Sequence, residues 1–248
     1  MKRIFVLALV IGMHVAAPRP MLQSVSAAGG LGAPSTDDTL VERFLHSDQP
    51  PLTTYRARRT LQASTRGGKM AASLEAWTHL DSDGTFGFEV IREAGSGLIR
   101  ERVLVKALET ERRNHNERAT GEVMLSRVNY DFDVRAAAGD TVKIGLLPRR
   151  RSPMLLVGTV TVTRDGGDML RIDGSLSEEP SWWTRRVDIV RRYARMNGVR
   201  VPVEMSSRAD VRIVGDSSFS MTYDYAMING RSAGLRPSPG SPGDRQSH

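Results

Sequence analysis

The chain has 248 residues, a formal charge of +7 at pH 7 and no cysteine. The lack of cysteine excludes both a disulfide framework and a lipid-modified cysteine. Lysine and arginine together outnumber the acidic residues only modestly once Lys2, Arg3 and Arg19 are removed with the N-terminal segment, which leaves a net charge of about +4. That surplus argues against nucleic-acid binding and leaves attraction to anionic headgroups open.

The N-terminus has the pattern of a secretory signal peptide. Met1-Lys2-Arg3 is cationic, residues 4–13 are apolar, and small residues around Ala27 and Ala28 suit cleavage. The apolar run is shorter than the roughly 20 residues that span a bilayer. We predict a signal peptide over residues 1–28, which favours a periplasmic or secreted protein over an anchored one.

Composition predicts three further segments after the signal peptide. Residues 29–38 are small and polar and read as a flexible linker. Residues 231–248 are rich in Pro, Gly and Ser without periodicity, which predicts a disordered tail. Residues 39–230 contain neither a linker-like stretch nor a repeat, so they predict a single domain.

Two segments of the body have helical patterns. Residues 35–47 follow polar N-cap residues with apolar side chains at helical spacing. Residues 96–115 carry a stripe from Ile99 through Leu108 to Glu111, with Ser96 as a possible cap. A helix there would pack across a sheet. A strand over residues 99–104 that runs into a shorter helix is the alternative.

Period-two alternation dominates the rest of the body and predicts antiparallel strands. It appears in residues 69–80 and 85–93, and again in several stretches between 125 and 228. Turn sequences such as 81–84 and 164–168 separate the alternating runs. The spacing of these turns favours an antiparallel meander.

Residues 181–205 admit two interpretations. An amphipathic helix would place Val187, Val190 and Tyr193 on one face. However, Asn197-Gly198 is a strong hairpin signal, because both central residues of a type I′ turn need positive φ. We therefore predict a hairpin with Arg195 opposite Arg200. Pro202 then predicts an edge position or a bulge, because proline lacks an N–H donor.

Three stretches of this sequence resemble the LolA/LolB-type periplasmic half-barrels, a family that includes outer-membrane lipoprotein carriers. The likeness rests on residues 55–63, 169–183 and 187–225, and it extends from about Leu40 to Gly230. It implies a mainly β (α+β) fold, a curved antiparallel sheet or half-barrel covered by an N-terminal helix and one or two further helices. It also implies an apolar concave cavity for lipid or lipoprotein acyl chains. No arginine of this sequence matches the family's functional arginine.

A cavity of that kind would be lined by one apolar side chain from each strand, and ordinary core packing is the alternative role for these residues. The predicted ligand-binding residues are Trp77, Phe88, Tyr130, Leu156, Ile172, Val190, Met205 and Met221.

Two further features suggest contact with a membrane or a protein partner. Trp182 and Trp183 are adjacent, so in a strand one of the two rings would face solvent. Arg149, Arg150 and Arg151 precede Ser-Pro and predict a basic hairpin tip. The alternatives are a loop that caps the barrel end and a solvated turn.

No catalytic or metal-binding pattern appears in the sequence. The histidines are scattered, Ser96 lacks the glycine two positions before it that a nucleophile elbow requires, and residues 81–84 lack the end ligands of a calcium loop. We expect no enzyme activity and no cofactor. The predicted function is a monomeric exported lipid or amphiphile carrier, with an envelope protein-interaction or sensor module as the alternative.

Overall fold

The computed structural model describes residues 36–46, 50–116, 125–179, 181–182, 184–212 and 215–234. Within them the chain forms an eleven-stranded antiparallel sheet and a few helices. The strands are β1 Tyr55–Thr65, β2 Met70–Leu80, β3 Phe86–Gly95, β4 Tyr130–Ala138, β5 Thr141–Pro148, β6 Leu156–Thr163, β7 Met169–Leu176, β8 Thr184–Met196, β9 Val199–Val211, β10 Gly215–Ile228 and β11 Arg231–Ser232.

The strand order is β3-β2-β1-β10-β9-β8-β7-β6-β5-β4, with β11 paired to β10. Strands β4 to β10 form a continuous meander, and β1 to β3 extend it on the far side of β10. The two edge strands, β3 and β4, are consecutive in the chain. Their connection therefore runs from one edge of the curved sheet to the other, across its open side.

Each strand alternates between a buried and a more exposed face, as period two requires. On β1 the buried side chains are those of Tyr55, Ala57, Arg59, Leu61 and Ala63. We call the face that carries them the inner face and the opposite one the outer face. The antiparallel strands predicted from the alternation, and the open curved sheet that the resemblance implies, are confirmed.

Two glycines face each other where β6 pairs with β7. Gly158 lies opposite Gly174 on the inner face. A Cβ built at Gly158 would lie 2.0 Å from the Asp173 carbonyl oxygen, and one at Gly174 would lie 2.7 Å from the Val157 carbonyl oxygen. Only glycine permits such a close approach of two backbones, so both positions require it.

Three helices and a π-helical segment lie on the inner face. Helix α1, Thr36–Leu45, buries Leu40, Val41 and Phe44, and the Phe44 ring meets the Phe132 ring edge-on at 6.1 Å. The second helical region consists of α2 Gly97–Ile99, a π-helical segment Arg100–Val105 and α3 Lys106–Asn116. We call this second region the cover helix.

The structure of the cover helix distinguishes the two interpretations of residues 96–115, a helix or a strand followed by a shorter helix. The region is helical throughout, so the alternative of a strand at 99–104 is excluded. Ser96 occupies the N-cap position with extended backbone, although its side chain makes no capping hydrogen bond. None of the helices among the described residues is long and apolar enough to cross a membrane.

Two elements lie partly or wholly outside the predicted domain boundaries at residues 39 and 230. Helix α1 begins at Thr36, inside the predicted linker, and β11 lies inside the predicted tail, where it pairs with β10. The predicted signal peptide over residues 1–28 and the tail from residue 235 lie outside the described residues.

The Asn197-Gly198 hairpin forms with the predicted register. Ala194 faces Val201 and Arg195 faces Arg200, and φ is +52° at Asn197 and +81° at Gly198. The helical alternative is therefore wrong. Pro202 lies beside a bulge in the β8–β9 pairing, and it is beyond Glu204, where the register of β9 with β10 ends.

Candidate functional site

The inner face beneath the cover helix is apolar and closely packed. The cover helix contributes five apolar side chains to the main core, each at most 5% exposed. The sheet opposes them with Leu61, Leu74 and Met221, all nearly inaccessible to solvent. The five side chains of the cover helix are Ile99, Val103, Leu104, Ala107 and Leu108.

A fully buried ion pair joins the cover helix to the sheet. The Arg59 guanidinium donates to both carboxylate oxygens of Glu111, over 2.6 and 3.0 Å, and the two side chains are 1% and 0% exposed. Burial alone would lower the pKa of Arg59, but the Glu111 carboxylate together with Tyr55 and Tyr223 outweighs it and holds that pKa well above its ordinary value. The guanidinium therefore remains charged inside the protein.

Aromatic rings surround this ion pair. Arg59 Nη2 donates to the Tyr55 hydroxyl at 2.5 Å, and its guanidinium carbon lies 4.5 Å from the centre of the Tyr223 ring and 5.3 Å from that of Phe86. The Tyr223 and Tyr225 rings stack with centres 6.1 Å apart. We call Arg59, Glu111, Tyr55, Tyr223 and Tyr225 the arginine–tyrosine cluster.

Burial suppresses ionisation of the tyrosines in this cluster. It raises the pKa of Tyr223 to about 12, and it raises the pKa values of Tyr55 and Tyr225 further. The Arg59 charge opposes this effect in all three tyrosines but does not cancel it. The tyrosines therefore act as neutral hydrogen-bonding and stacking groups around a permanent cation.

Most of the predicted ligand-binding residues lie on the inner face. Met205 and Met221 are paired across β9 and β10, and the Met221 sulfur is 3.9 Å from Arg59 Nη1. The backbone N–H of Leu156 donates to the Tyr130 hydroxyl at 3.1 Å. The predicted residues that belong to the main core are Tyr130, Leu156, Ile172, Met205 and Met221, and half-buried Phe88 packs against its edge.

Trp77 and Val190 lie on the outer face instead. Alternation from buried Ala76 and Ile189 turns their side chains away from the helices. The Trp77 ring packs under the Arg56 guanidinium, 4.8 Å from its centre. These two residues therefore do not line the concave face, because adjacent residues of a strand point to opposite sides.

The outer face carries a groove of about 760 Å³ across the β1–β3 and β8–β10 strands. Val190 lies in it beside Asp188. Burial opposes ionisation of Asp188, but hydrogen bonds from Ser175 and Arg186, at 2.5 and 2.7 Å, outweigh it and lower the pKa. Serine is the most frequent residue type in the remaining lining of the groove, namely Ser64, Ser73, Ser206, Ser207, Ser218 and Ser220.

The predicted contact residues lie at one end of the sheet. Arg149, Arg150 and Arg151 belong to the connection between β5 and β6, and all three are exposed. Trp182 lies in the connection between β7 and β8 with 66% of its surface exposed. Trp183 lies outside the described residues.

Titratable groups that an enzyme could use are dispersed. His79 Nε2 lies 3.9 Å from an Asp81 carboxylate oxygen beside an exposed turn, and Asp131 pairs with Arg149 at 2.6 Å. Within the described part of the chain, no group of three or more His, Asp or Glu side chains is arranged to hold a metal ion.

Several solved structures are similar to this chain. A LolA superfamily protein from Nitrosomonas europaea is 11% identical, and the match covers 83% of this chain and 96% of that one with a TM-score of 0.41. A DUF1329 family protein from Desulfovibrio piger is 13% identical over 75% and 88% of the two chains, with a TM-score of 0.38. A chain of the Pseudomonas aeruginosa MucA/MucB complex is 10% identical over 75% and 93%, with a TM-score of 0.22.

No protein-family model and no curated protein matches the sequence. The predicted architecture, an open curved sheet with helices over its concave face, is confirmed by the strand order and the core packing. A shared fold does not fix what a protein binds. The functional proposal therefore depends on the residues of the inner face.

The sequence reasoning did not select Arg59 or Glu111 as site residues. Both carried a detectable signal, because each is a charged residue at a position where the surrounding pattern is apolar. Arg59 alternates with Ala57 and Leu61, and Glu111 follows Leu108 on the helical stripe. A charge at such a position has to find a buried partner.

Proposed function

We propose that the chain is an exported, non-enzymatic protein that binds a lipid or another amphiphile on the inner face of its sheet. In this proposal the cover helix is a lid and the acyl chains replace its side chains against the sheet. The single observation that carries the proposal is the Arg59–Glu111 pair, an ionic contact between the lid and an otherwise apolar face.

A buried ion pair is a poor way to stabilise a closed core. Apolar residues of similar volume are often as stabilising or more so, whereas breaking the pair costs about 3–5 kcal/mol. The ion pair instead forms only when the cover helix lies in one position over the sheet. Such a contact defines the closed position of an element that can also open. The π-helical segment Arg100–Val105 supports this view, because such segments are rare and frequently occur at functional sites.

The energetics favour ligands with more than one acyl chain. Lifting the cover helix exposes Ile99, Val103, Leu104 and Leu108, at about 1.5–3 kcal/mol for each large apolar side chain, and also breaks the ion pair. A chain of about 14 methylenes regains about 11 kcal/mol when it is buried. One acyl chain therefore roughly balances the cost of opening, and a diacyl or triacyl lipid exceeds it.

Transfer of a fluorescent diacyl phospholipid from vesicles to the exported protein tests this proposal. We expect Glu111→Gln to take up the lipid faster than the wild type, since it weakens closure and increases the binding-competent fraction. Arg58→Ala is the matched control. It removes the neighbouring outer-face pair with Asp224, which has a distance of 2.8 Å, and leaves the lid contact intact.

Native mass spectrometry of protein recovered from the envelope gives the second measurement. Acyl-lipid masses on the wild type support carriage. A bare polypeptide mass, together with no lipid uptake by either the wild type or Glu111→Gln, would rule the proposal out. Thermal unfolding of each variant checks that it is folded.

An envelope protein-interaction module is the second candidate function. It is favoured by the close packing of the described inner-face residues against the helices and by the exposure of Trp182. In that case the lid stays closed, and cross-linking in the envelope should yield a protein adduct while no lipid is taken up.

A further inference from the structure

The chain connections at one end of the sheet form a continuous surface. The Arg149 N–H donates to the Asn129 carbonyl oxygen at 2.9 Å. Ser177 Oγ accepts from the Ser152 N–H and donates to the Ser152 carbonyl oxygen, at 3.0 and 2.9 Å, and the Ser177 N–H donates to the Leu155 carbonyl oxygen at 2.8 Å. The segments before β4, between β5 and β6, and between β7 and β8 are thus held side by side.

Exposed apolar side chains cluster at this end. Val128 is 83% exposed before β4, and Trp182 is 66% exposed before β8. Leu147 and Val157 are 43% and 45% exposed on the outer face. The pairing of Leu146 with Gly158 places them opposite each other on β5 and β6. We call Val128, Leu147, Val157 and Trp182 the apolar rim.

The same end of the sheet carries exposed cations on several turns. The residues that are exposed and form no ion pair with another described residue are Arg66, Lys69, Arg150, Arg151 and Arg212. Exposed acidic residues at this end include Asp131, which pairs with Arg149, and also Glu178, Glu179 and Asp216. We call the five cations the basic rim.

The turns at the opposite end of the sheet carry more exposed acidic than basic residues. Asp81 and Asp83 lie in the β2–β3 turn, Asp140 lies between β4 and β5, and Asp165 lies between β6 and β7. The exposed cations of these turns are Arg164 and Arg231. The molecule therefore has a basic end and a mildly acidic end. Such a charge distribution orients a protein at an anionic surface with its basic end inward.

We propose that the apolar rim and the basic rim together dock this end of the protein on an anionic phospholipid surface. Trp182 would lie at headgroup depth, where indole rings are enriched, and the aliphatic side chains beside it would enter the acyl boundary. The cations would bind lipid phosphates. This proposal does not depend on whether the inner face takes a ligand.

The spread of the charges favours a membrane over a protein partner. The β1–β2 turn and the β5–β6 connection lie at opposite margins of a run that crosses β10, β9, β8 and β7. Strand spacing of about 4.8 Å places these margins about 30 Å apart, measured along the curved sheet. A bilayer offers anionic groups over that whole width, whereas a compact acidic cluster on a protein would reach only part of it.

Vesicle co-sedimentation of the exported protein tests the proposal. The probes are vesicles of phosphatidylglycerol with phosphatidylethanolamine, and vesicles of phosphatidylcholine alone. We expect the wild type to bind the anionic vesicles and to be released by salt. Arg150→Gln with Arg151→Gln should weaken binding about fivefold for each arginine. Trp182→Ala should weaken it about tenfold because an interfacial aromatic anchor is lost.

Matched controls come from the acidic end. Met227→Ser removes a side chain that is 45% exposed, similar to Leu147 and Val157, and Arg231→Gln removes an exposed charge. Neither control should change vesicle binding. A mass measurement first establishes that all variants have the same N-terminus. Differences in vesicle binding between the variants then arise from the substituted side chains.

Three results would overturn membrane docking. The first is equal binding of the wild type to the neutral and anionic vesicles. The second is an equal loss of binding in the rim variants and the controls. The third is no vesicle binding together with an envelope-protein cross-link that Trp182→Ala abolishes, which would assign this end to a protein partner.

Discussion

At the scale of single residues, the site is defined by charges in an apolar pattern. Arg59 and Glu111 are 52 positions apart in the chain and form a bidentate contact in the interior. Alternation shows that Arg59 faces inward, and helical spacing shows the same for Glu111. Neither pattern shows that the two meet, because that depends on how the cover helix crosses β1.

The buried tyrosines predict a pH dependence on the alkaline side. In the unfolded chain tyrosine ionises near pH 10, whereas in the folded protein the pKa of Tyr223 is raised to about 12 and those of Tyr55 and Tyr225 are raised further. Above pH 10 the folded state therefore holds more protons than the unfolded state. Stability should be fully present below about pH 10 and fall as the pH rises toward the folded pKa values.

Tyrosinate absorbance and circular dichroism, followed together during an alkaline titration, check this prediction. We expect the tyrosines of the arginine–tyrosine cluster to ionise only as the sheet unfolds. Their ionisation near pH 10 in a protein with an intact circular dichroism spectrum would contradict the burial seen here. The same titration in denaturant supplies the unfolded reference.

At the scale of elements, the β8–β9 hairpin was predictable because its signal is local. The Asn-Gly turn, the alternation on both sides and the position of Pro202 all lie within a short stretch. The cover helix was predictable only as an alternative to a strand. Its helical form is settled by packing, since Ile99, Val103 and Leu104 lie against the sheet.

Gly198→Ala tests the hairpin turn. Its φ of +81° costs a residue with a Cβ about 1–2 kcal/mol, although the space around it is open. We expect the free energy of unfolding to fall by about that amount in a denaturant titration. Strain should be the sole cause, because the new methyl group meets no neighbour.

Gly166→Ala is the matched control for this turn. Gly166 lies in the β6–β7 connection, has no positive φ, and leaves room for a Cβ, with the nearest atom at 3.5 Å. Its substitution should be neutral or slightly stabilising, by up to about 1 kcal/mol. Equal losses in the two variants would show that the left-handed backbone at Gly198 is not the cause.

At the scale of the whole molecule, the chain closes the sheet by joining its two edges. The cover helix follows β3 in the chain, packs over β1, β2 and β3, and precedes β4. The middle of the sheet is formed by segments far apart in the chain, as in the pairing of Leu61 with Met221. The cover helix lies against one side of this frame and its other side is more exposed.

Hydrogen exchange should reveal this difference in local stability. We expect amides of the cover helix to exchange faster than those of β1, β9 and β10, because each of these strands has hydrogen-bonded neighbours on both sides. Exchange measured by mass spectrometry resolves these segments. Protection of the cover helix equal to that of β1 would indicate that it opens only with global unfolding, which argues against a lid.

The sequence by itself determined the local features of this protein. Period-two alternation determined the strands and their inner faces, and Asn197-Gly198 determined a turn and its register. The tertiary structure alone decided that β1 pairs with β10, that Arg59 meets Glu111, and that Trp182 shares one end of the sheet with Arg150 and Arg151. Local patterns follow from the periodicity of the backbone within one strand or turn. The long-range contacts depend instead on which segments distant in sequence pack together and bury their apolar surface.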